Sequence, residues 1–176
     1  MKPTSILSIR PLLAFALLPG LLLTASCSKK APASGGGSGG PSPAADASLP
    51  AVTVAISAND QMKFDVTAIA AKPGQKVRIT LRNAGTMPKV SMGHNLVVLA
   101  LGTDPEKFIE ASQMQMANDY IAPEMRASVI AHTRLLGPGE SDTVEFAAPR
   151  APGSYPFVCS FPGHYAIGMK GVLTVR

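Results

Sequence analysis

At 176 residues the chain has room for one domain, or for one domain and a tail, and its 46% hydrophobic content is that of a globular protein. The formal net charge of +5 is misleading, because Lys2, Arg10, Lys29 and Lys30 face a single acid, Asp46, before position 51. From there on, 12 of the 16 basic and 10 of the 11 acidic residues remain, a balance of +2 on which nothing argues for a nucleic-acid or anionic-lipid partner.

Lys2 and Arg10 precede the apolar run Pro11 to Leu23, which is too short and wrongly flanked for a spanning helix, so residues 1–26 read as a secretory signal. The run ends in Leu23-Thr24-Ala25-Ser26-Cys27, small residues before a cysteine that resemble a bacterial lipobox. Cys27 would then be lipidated, placing the protein on the extracytoplasmic face of a membrane, and Ser28 after it favours the outer membrane where one exists. An ordinary signal peptide cut after a small residue is the alternative. Residues 27–50 form a Gly/Ser/Pro/Ala-rich linker without apolar periodicity. The 23 residues Ser28 to Pro50 would span roughly 25 Å as a flexible coil.

Residues 51–176 read as the folded domain. Val52, Val54 and Ile56, then Phe64 and Val66, then Val77, Ile79 and Leu81 alternate with period two and predict strands. Leu96 to Leu101 is a continuous apolar strand, and Thr103-Asp104-Pro105-Glu106 predicts a helix start, with the helix running over about 104–119. Val129 to Leu136, Asp142 to Ala147, Tyr155 to Cys159 and Gly171 to Val175 complete the strands, punctuated by Gly137-Pro138-Gly139 and Pro152-Gly153. Short strands at this density with one inserted helix predict an all-β sandwich.

The chemistry gathers in Cys159-Ser160-Phe161-Pro162-Gly163-His164-Tyr165-Ala166-Ile167-Gly168-Met169. A thiolate, an imidazole and a thioether on one short segment select copper over the hard ions calcium, magnesium or manganese. A second imidazole is available upstream in Met92-Gly93-His94-Asn95, giving two His and one Cys with a weak axial Met, a known donor set for electron-transferring copper. Taken singly, a buried Cys is more often inert, a lone His structural and a Met core filling; their joint spacing reverses that weighting. A Cys/His nucleophile is a poorer reading, since no orienting acid or amide accompanies the pair on the loop.

Met92-Gly93-His94-Asn95, Val129 to Gly137, Cys159 to His164 and Met169-Lys170-Gly171 together resemble azurin, over about Ala51 to Arg176. Four residues separate His164 from Met169, where azurins have three; four is the spacing of auracyanin, the membrane-associated relative of azurin. The resemblance implies a Greek-key sandwich of about eight strands and one mononuclear type 1 copper per chain, Cu(I)/Cu(II), held by His94, Cys159, His164 and Met169. The Gly93 carbonyl would be a weak fifth contact. It implies that the backbone N–H groups of Asn95 and Phe161 donate to the thiolate sulfur, while the Asn95 side chain ties the two ligand segments together. It also implies docking through an apolar patch of Met92, Phe161, Pro162, Gly163 and Ala166 around His164. Azurin's disulfide has no counterpart here. His132 matches a surface His and is expected to be exposed or half-buried without a ligand role; Met114 and Met116 are expected to fill gaps under the helix.

The resulting expectation is an exported, lipid-anchored, monomeric one-electron carrier, not an enzyme, serving redox proteins such as cytochromes or membrane electron-transfer complexes. Copper storage or delivery is the alternative. A dinuclear copper site would need a second cysteine on the loop.

Overall fold

The computed structural model describes residues 44–176. The signal segment, Cys27 and most of the linker lie outside the described residues.

Among the described residues, nine strands form two sheets. The first contains β1 (Val52–Asn59), β2 (Lys63–Phe64), β4 (Lys76–Asn83) and β7 (Ser141–Ala147), in the order β2-β1-β4-β7. The second contains β3 (Ala68–Ala71), β5 (Val97–Leu99), β6 (Val129–His132), β8 (Gly153–Val158) and β9 (Lys170–Val175), in the order β3-β9-β8-β5-β6. Two pairings are parallel, β1 with β4 and β3 with β9, and the others are antiparallel. The expected sandwich is therefore observed, with Ala68–Ala71 adding to the strands read from the sequence and the strand read at Phe64 and Val66 reduced to Lys63–Phe64.

Alternation decides which face is buried. Along β4 every second residue points inward, so Val77, Ile79 and Leu81 are fully buried while Lys76, Arg78 and Arg82 are exposed. They meet Ile56 and Ala58 of β1, Val144 and Phe146 of β7, and across the interior Tyr155, Phe157 and Leu173 of the second sheet. Val97, Val98 and Leu99 are buried on both faces of β5, which explains their unbroken apolar run. Val98 belongs to the main core, whereas Val97 and Leu99 face outward with Val129 and Val158 onto Phe108 and Ile121.

Phe108 belongs to α2 (Pro105–Ser112), which caps this outer face. Its N-cap is Asp104, whose carboxylate accepts from the backbone N–H of Glu106 (2.9 Å) and Lys107 (3.4 Å), with Pro105 in the first turn. The helix ends seven residues short of the sequence expectation. Phe108 and Ser112 are its fully buried residues, and Ser112 Oγ accepts from Ala122 N–H at 3.1 Å, so the returning chain takes the place of a further turn. Asp119 and Tyr120, both at positive φ (53° and 58°), complete the reversal. Met114 and Met116 consequently sit past the helix, 86% and 61% exposed, and do not fill gaps under it.

Two further corrections concern the segment after β6. The strand ends at His132, not Leu136, because Thr133 turns its hydroxyl and N–H to the backbone of Leu96 (both 3.0 Å). The chain then rejoins its neighbour only through the bridge between Leu136 and His94. His132 itself is buried, its Nδ1 at 3.0 Å from the Thr133 carbonyl and its Nε2 at 3.3 Å from Arg126.

The β8–β9 ladder, which holds both ends of the chemically loaded loop, requires glycine at position 171. Gly171 pairs with Phe157, and a Cβ there would meet the Phe157 ring and approach the Thr67 carbonyl to 2.6 Å. Gly171→Ala is expected to destabilise the fold by about 2 kcal/mol through overpacking, read as a lower urea midpoint. An unchanged midpoint would show that the Phe157 ring yields freely.

Candidate metal centre

The segment between β8 and β9 is tied off by its own backbone. Cys159 N–H donates to the Met169 carbonyl (3.1 Å), and Met169 N–H to the His164 carbonyl (3.0 Å). Between His164 and Met169 the chain turns tightly, Gly168 N–H donating to the Tyr165 carbonyl at 3.0 Å with Gly168 at φ 99°, a conformation favourable only to glycine. This turn absorbs the fourth residue of the spacing and returns Met169, fully buried, to the core.

The second segment arrives through α1 (Lys89–Met92), a single helical turn that stops at Gly93, itself buried between the Lys89 carbonyl and Leu135. His94 is then fixed by reciprocal backbone bonds with Leu136 (3.1 and 2.7 Å). Its neighbour Asn95 joins the two segments. The Asn95 side chain accepts from Ser160 N–H (2.8 Å) and donates to Ser160 Oγ (2.8 Å) and to the Asp119 carbonyl (2.7 Å).

His94, Cys159 and His164 come together as a result, all buried, with their donor atoms within 4.8 Å of one another. Cys159 Sγ lies 3.4 Å from His164 Nδ1, and the two imidazole rings are 4.9 Å apart at 42°. Both ring nitrogens of His94 are buried and neither makes a hydrogen bond of normal geometry, the Asn59 carbonyl acting on the ring only weakly. Buried polar atoms are almost always satisfied, so an orphaned imidazole facing a thiol and a second imidazole is the signature of a metal position. The backbone N–H groups of Asn95 and Phe161 hydrogen-bond to the Cys159 sulfur.

Burial sets the protonation states. It pushes the Cys159 thiol up to about 12, only partly offset by those two N–H groups. Burial likewise lowers His164 to about 4, with His94 acting in the same direction. His94 is lowered by burial, while Asp60 and the Asn59 carbonyl oppose the shift. Two neutral imidazoles offer lone pairs at neutral pH, and the thiol becomes a thiolate only when a cation replaces its proton.

Of the residues expected at a docking patch, Pro162, Gly163 and Ala166 are exposed, Met92 is half-buried and Phe161 is buried. His164 is 2% exposed. Phe161 stacks near it (4.6 Å between centroids) and is itself met edge-on by Tyr120 at 5.0 Å. Tyr120 and the Asp119 carbonyl are parts of the site that the sequence did not signal, since a carbonyl carries no residue-type mark. Nor did it signal Asp60, whose carboxylate accepts from Thr86 N–H and Oγ (2.8 and 2.9 Å) and so pins the chain leading to α1.

The profile of the family described as copper binding proteins, plastocyanin/azurin family, matches residues 50–176. The chain belongs to this family. It is 38% identical over 127 residues to azurin of Alcaligenes faecalis, covering 70% of this chain and 97% of that one. Outer membrane protein H.8 of Neisseria gonorrhoeae is 39% identical over 122 residues, 68% of this chain; the chain spans only 65% of that protein's length. Among solved structures, dithionite-reduced auracyanin of Roseiflexus castenholzii superposes with a TM-score of 0.62 at 35% identity, covering 71% of this chain and 97% of that one. This cupredoxin domain thus carries a buried His/Cys/His cluster, with Met169 close by, that suits a mononuclear type 1 copper site.

The depressed imidazoles generate a pH prediction for the metal-free protein. Below the ordinary His value of 6.5 the unfolded chain takes up protons that buried His164 refuses until about pH 4, so stability falls as pH falls across that window. The urea midpoint of the copper-free protein should decline from pH 7 to pH 5, above the range where carboxylates titrate, and His164→Gln should flatten the decline. A midpoint insensitive to pH over this interval would contradict the burial argument.

Proposed function

We propose that His94, Cys159 and His164 would hold copper as the strong donors, with the Met169 thioether and the Gly93 carbonyl as weak ones. The observation that carries this reading is the orphaned, buried His94 imidazole within 4.8 Å of the other two donors. Copper bound there would supply a single electron by cycling between Cu(I) and Cu(II). Every other part of the job falls to the chain. The Asn95 and Phe161 N–H groups hold the sulfur in place, the backbone ties at Met169 and Leu136 fix the loop and His94, and the apolar surroundings exclude water. A site held this firmly changes little between oxidation states, which is what fast electron transfer requires. The same burial weighs against metal storage or delivery, where donors must release copper to a partner.

Electrons would pass through His164, which lies beneath exposed Pro162, Gly163 and Ala166, with Met92 and Phe161 completing the apolar contact to cytochromes or membrane redox complexes. The lipobox-like Leu23 to Cys27 and the outer-membrane name of a relative support an extracytoplasmic location with a lipid anchor at Cys27, the linker of residues 27–50 acting as tether.

Three variants separate these roles. Copper-loaded wild type should be intensely blue and Cys159→Ser colourless. Met169→Leu should stay blue with a raised reduction potential, because losing a thioether disfavours Cu(II) more than Cu(I). Met92→Lys should slow electron self-exchange with the spectrum unaltered. A colourless wild type, or an unchanged potential in Met169→Leu, would remove the corresponding assignment.

Full-length protein should partition with membranes and Cys27→Ala should not. Equal solubility of the two after cell fractionation would eliminate the anchor.

A further inference from the structure

Beside the ligand loop, α2 and the loop enclose an open groove of about 370 Å³, lined by Glu106, Ile109, Glu110 and Gln113 from the helix and by Tyr165 and Ala166 from the loop. Its floor is apolar and fixed, since Ile109 and Tyr165 pack on the buried cluster of Phe108, Val97 and Val158. Its wall is charged. Glu106 and Glu110 are four residues apart on one helix face, both exposed, and neither enters an ion pair among the described residues. The contrast with other acids is plain: Glu140 is matched by Arg134 and Lys89, and Glu145 by Lys76 and Arg78. Lys170, the first residue of β9, sits over the Tyr165 ring at 4.4 Å, and neither it nor the exposed Lys107 of α2 forms an ion pair with these carboxylates.

We propose that this groove receives a lysine or arginine side chain of the redox partner, an inference that rests on the carrier function argued above. An aliphatic stem lies over Ile109 and Tyr165 while its charged head reaches Glu106 and Glu110, the arrangement in which long cationic side chains bury their stems and keep their heads polar. Because Tyr165 and Ala166 directly follow His164, a side chain seated here orients the partner over the imidazole. The domain's balance of +2 makes long-range steering weak, so the two carboxylates act at contact range and select orientation.

The test uses mitochondrial cytochrome c, a lysine-rich probe, in its reduced form. Titrated into ¹⁵N-labelled Cu(I) protein, it transfers no electron and both proteins are diamagnetic, so amide shifts report contact alone. Saturable shifts are expected along Glu106 to Gln113 and at Tyr165 and Ala166. Glu106→Gln combined with Glu110→Gln should weaken binding about fivefold at low salt, the factor expected from two exposed ion pairs. The electron-transfer rate from ferrocytochrome to Cu(II) protein should fall by a similar factor, with the colour and potential of the variant unchanged. Glu145→Gln, on β7 of the other sheet, removes the same sign of charge and should leave binding nearly unaltered. Shifts that spare α2, unaltered affinity in the double variant, or an equal loss in Glu145→Gln would each overturn the groove as the docking site. Failure of the carrier reading would look different, as a colourless copper-loaded wild type.

Discussion

The carboxamide of Asn95 is the constraint on which the site depends. Its three hydrogen bonds reach the backbone and hydroxyl of Ser160 and the carbonyl of Asp119, so one side chain joins the segment bearing His94, the loop bearing Cys159 and the reversal after α2. Buried amide groups are costly when unpaired, and here every bond is made between elements distant in sequence. Ser160 adjoins Cys159 and Asn95 adjoins His94, so the same bonds that satisfy the amide set the separation of two members of the His/Cys/His cluster. The site is thereby positioned by the protein and not by the metal.

The sandwich supplies the other half of that rigidity. Both sides of the ligand loop continue into β8 and β9, paired over six residues, and the outer face of β5 and β8 is sealed by Phe108 of α2. The donors accordingly sit at one end of a close-packed core, where the Cys159 thiol is pushed up to about 12 and the imidazoles stay neutral. Burial makes this site a poor home for an isolated charge and a good one for a cation that neutralises the thiolate. Near the same end, His164 comes close to solvent behind a small apolar surface, and the carboxylates of α2 stand beside it.

Much of this was legible in the sequence. Alternation identified β1 and β4 because one face of each meets the core and the other meets water, and the Cys-x4-His-x4-Met spacing named donors that one loop can converge. What was missed depended on contacts between distant residues. The end of α2 at Ser112 follows from a hydroxyl that caps Ala122, so propensity alone carried the helix too far and put Met114 and Met116 on the wrong side of the surface. His132 is buried because Arg126 and the Thr133 carbonyl satisfy its ring, which no spacing rule reveals. Asp119 and Tyr120 support the site through a carbonyl and an edge-on ring contact, neither of which depends on a recognisable motif.

The central claim is that a prearranged His94, Cys159 and His164 cluster holds a single copper through both oxidation states. X-ray absorption at the copper edge, on the same preparation before and after reduction, tests it most directly. One copper per chain is expected, with one short bond to sulfur and two to imidazole nitrogen in both Cu(II) and Cu(I) and no ligand exchanged. Loss of the sulfur bond or of one imidazole on reduction would contradict it.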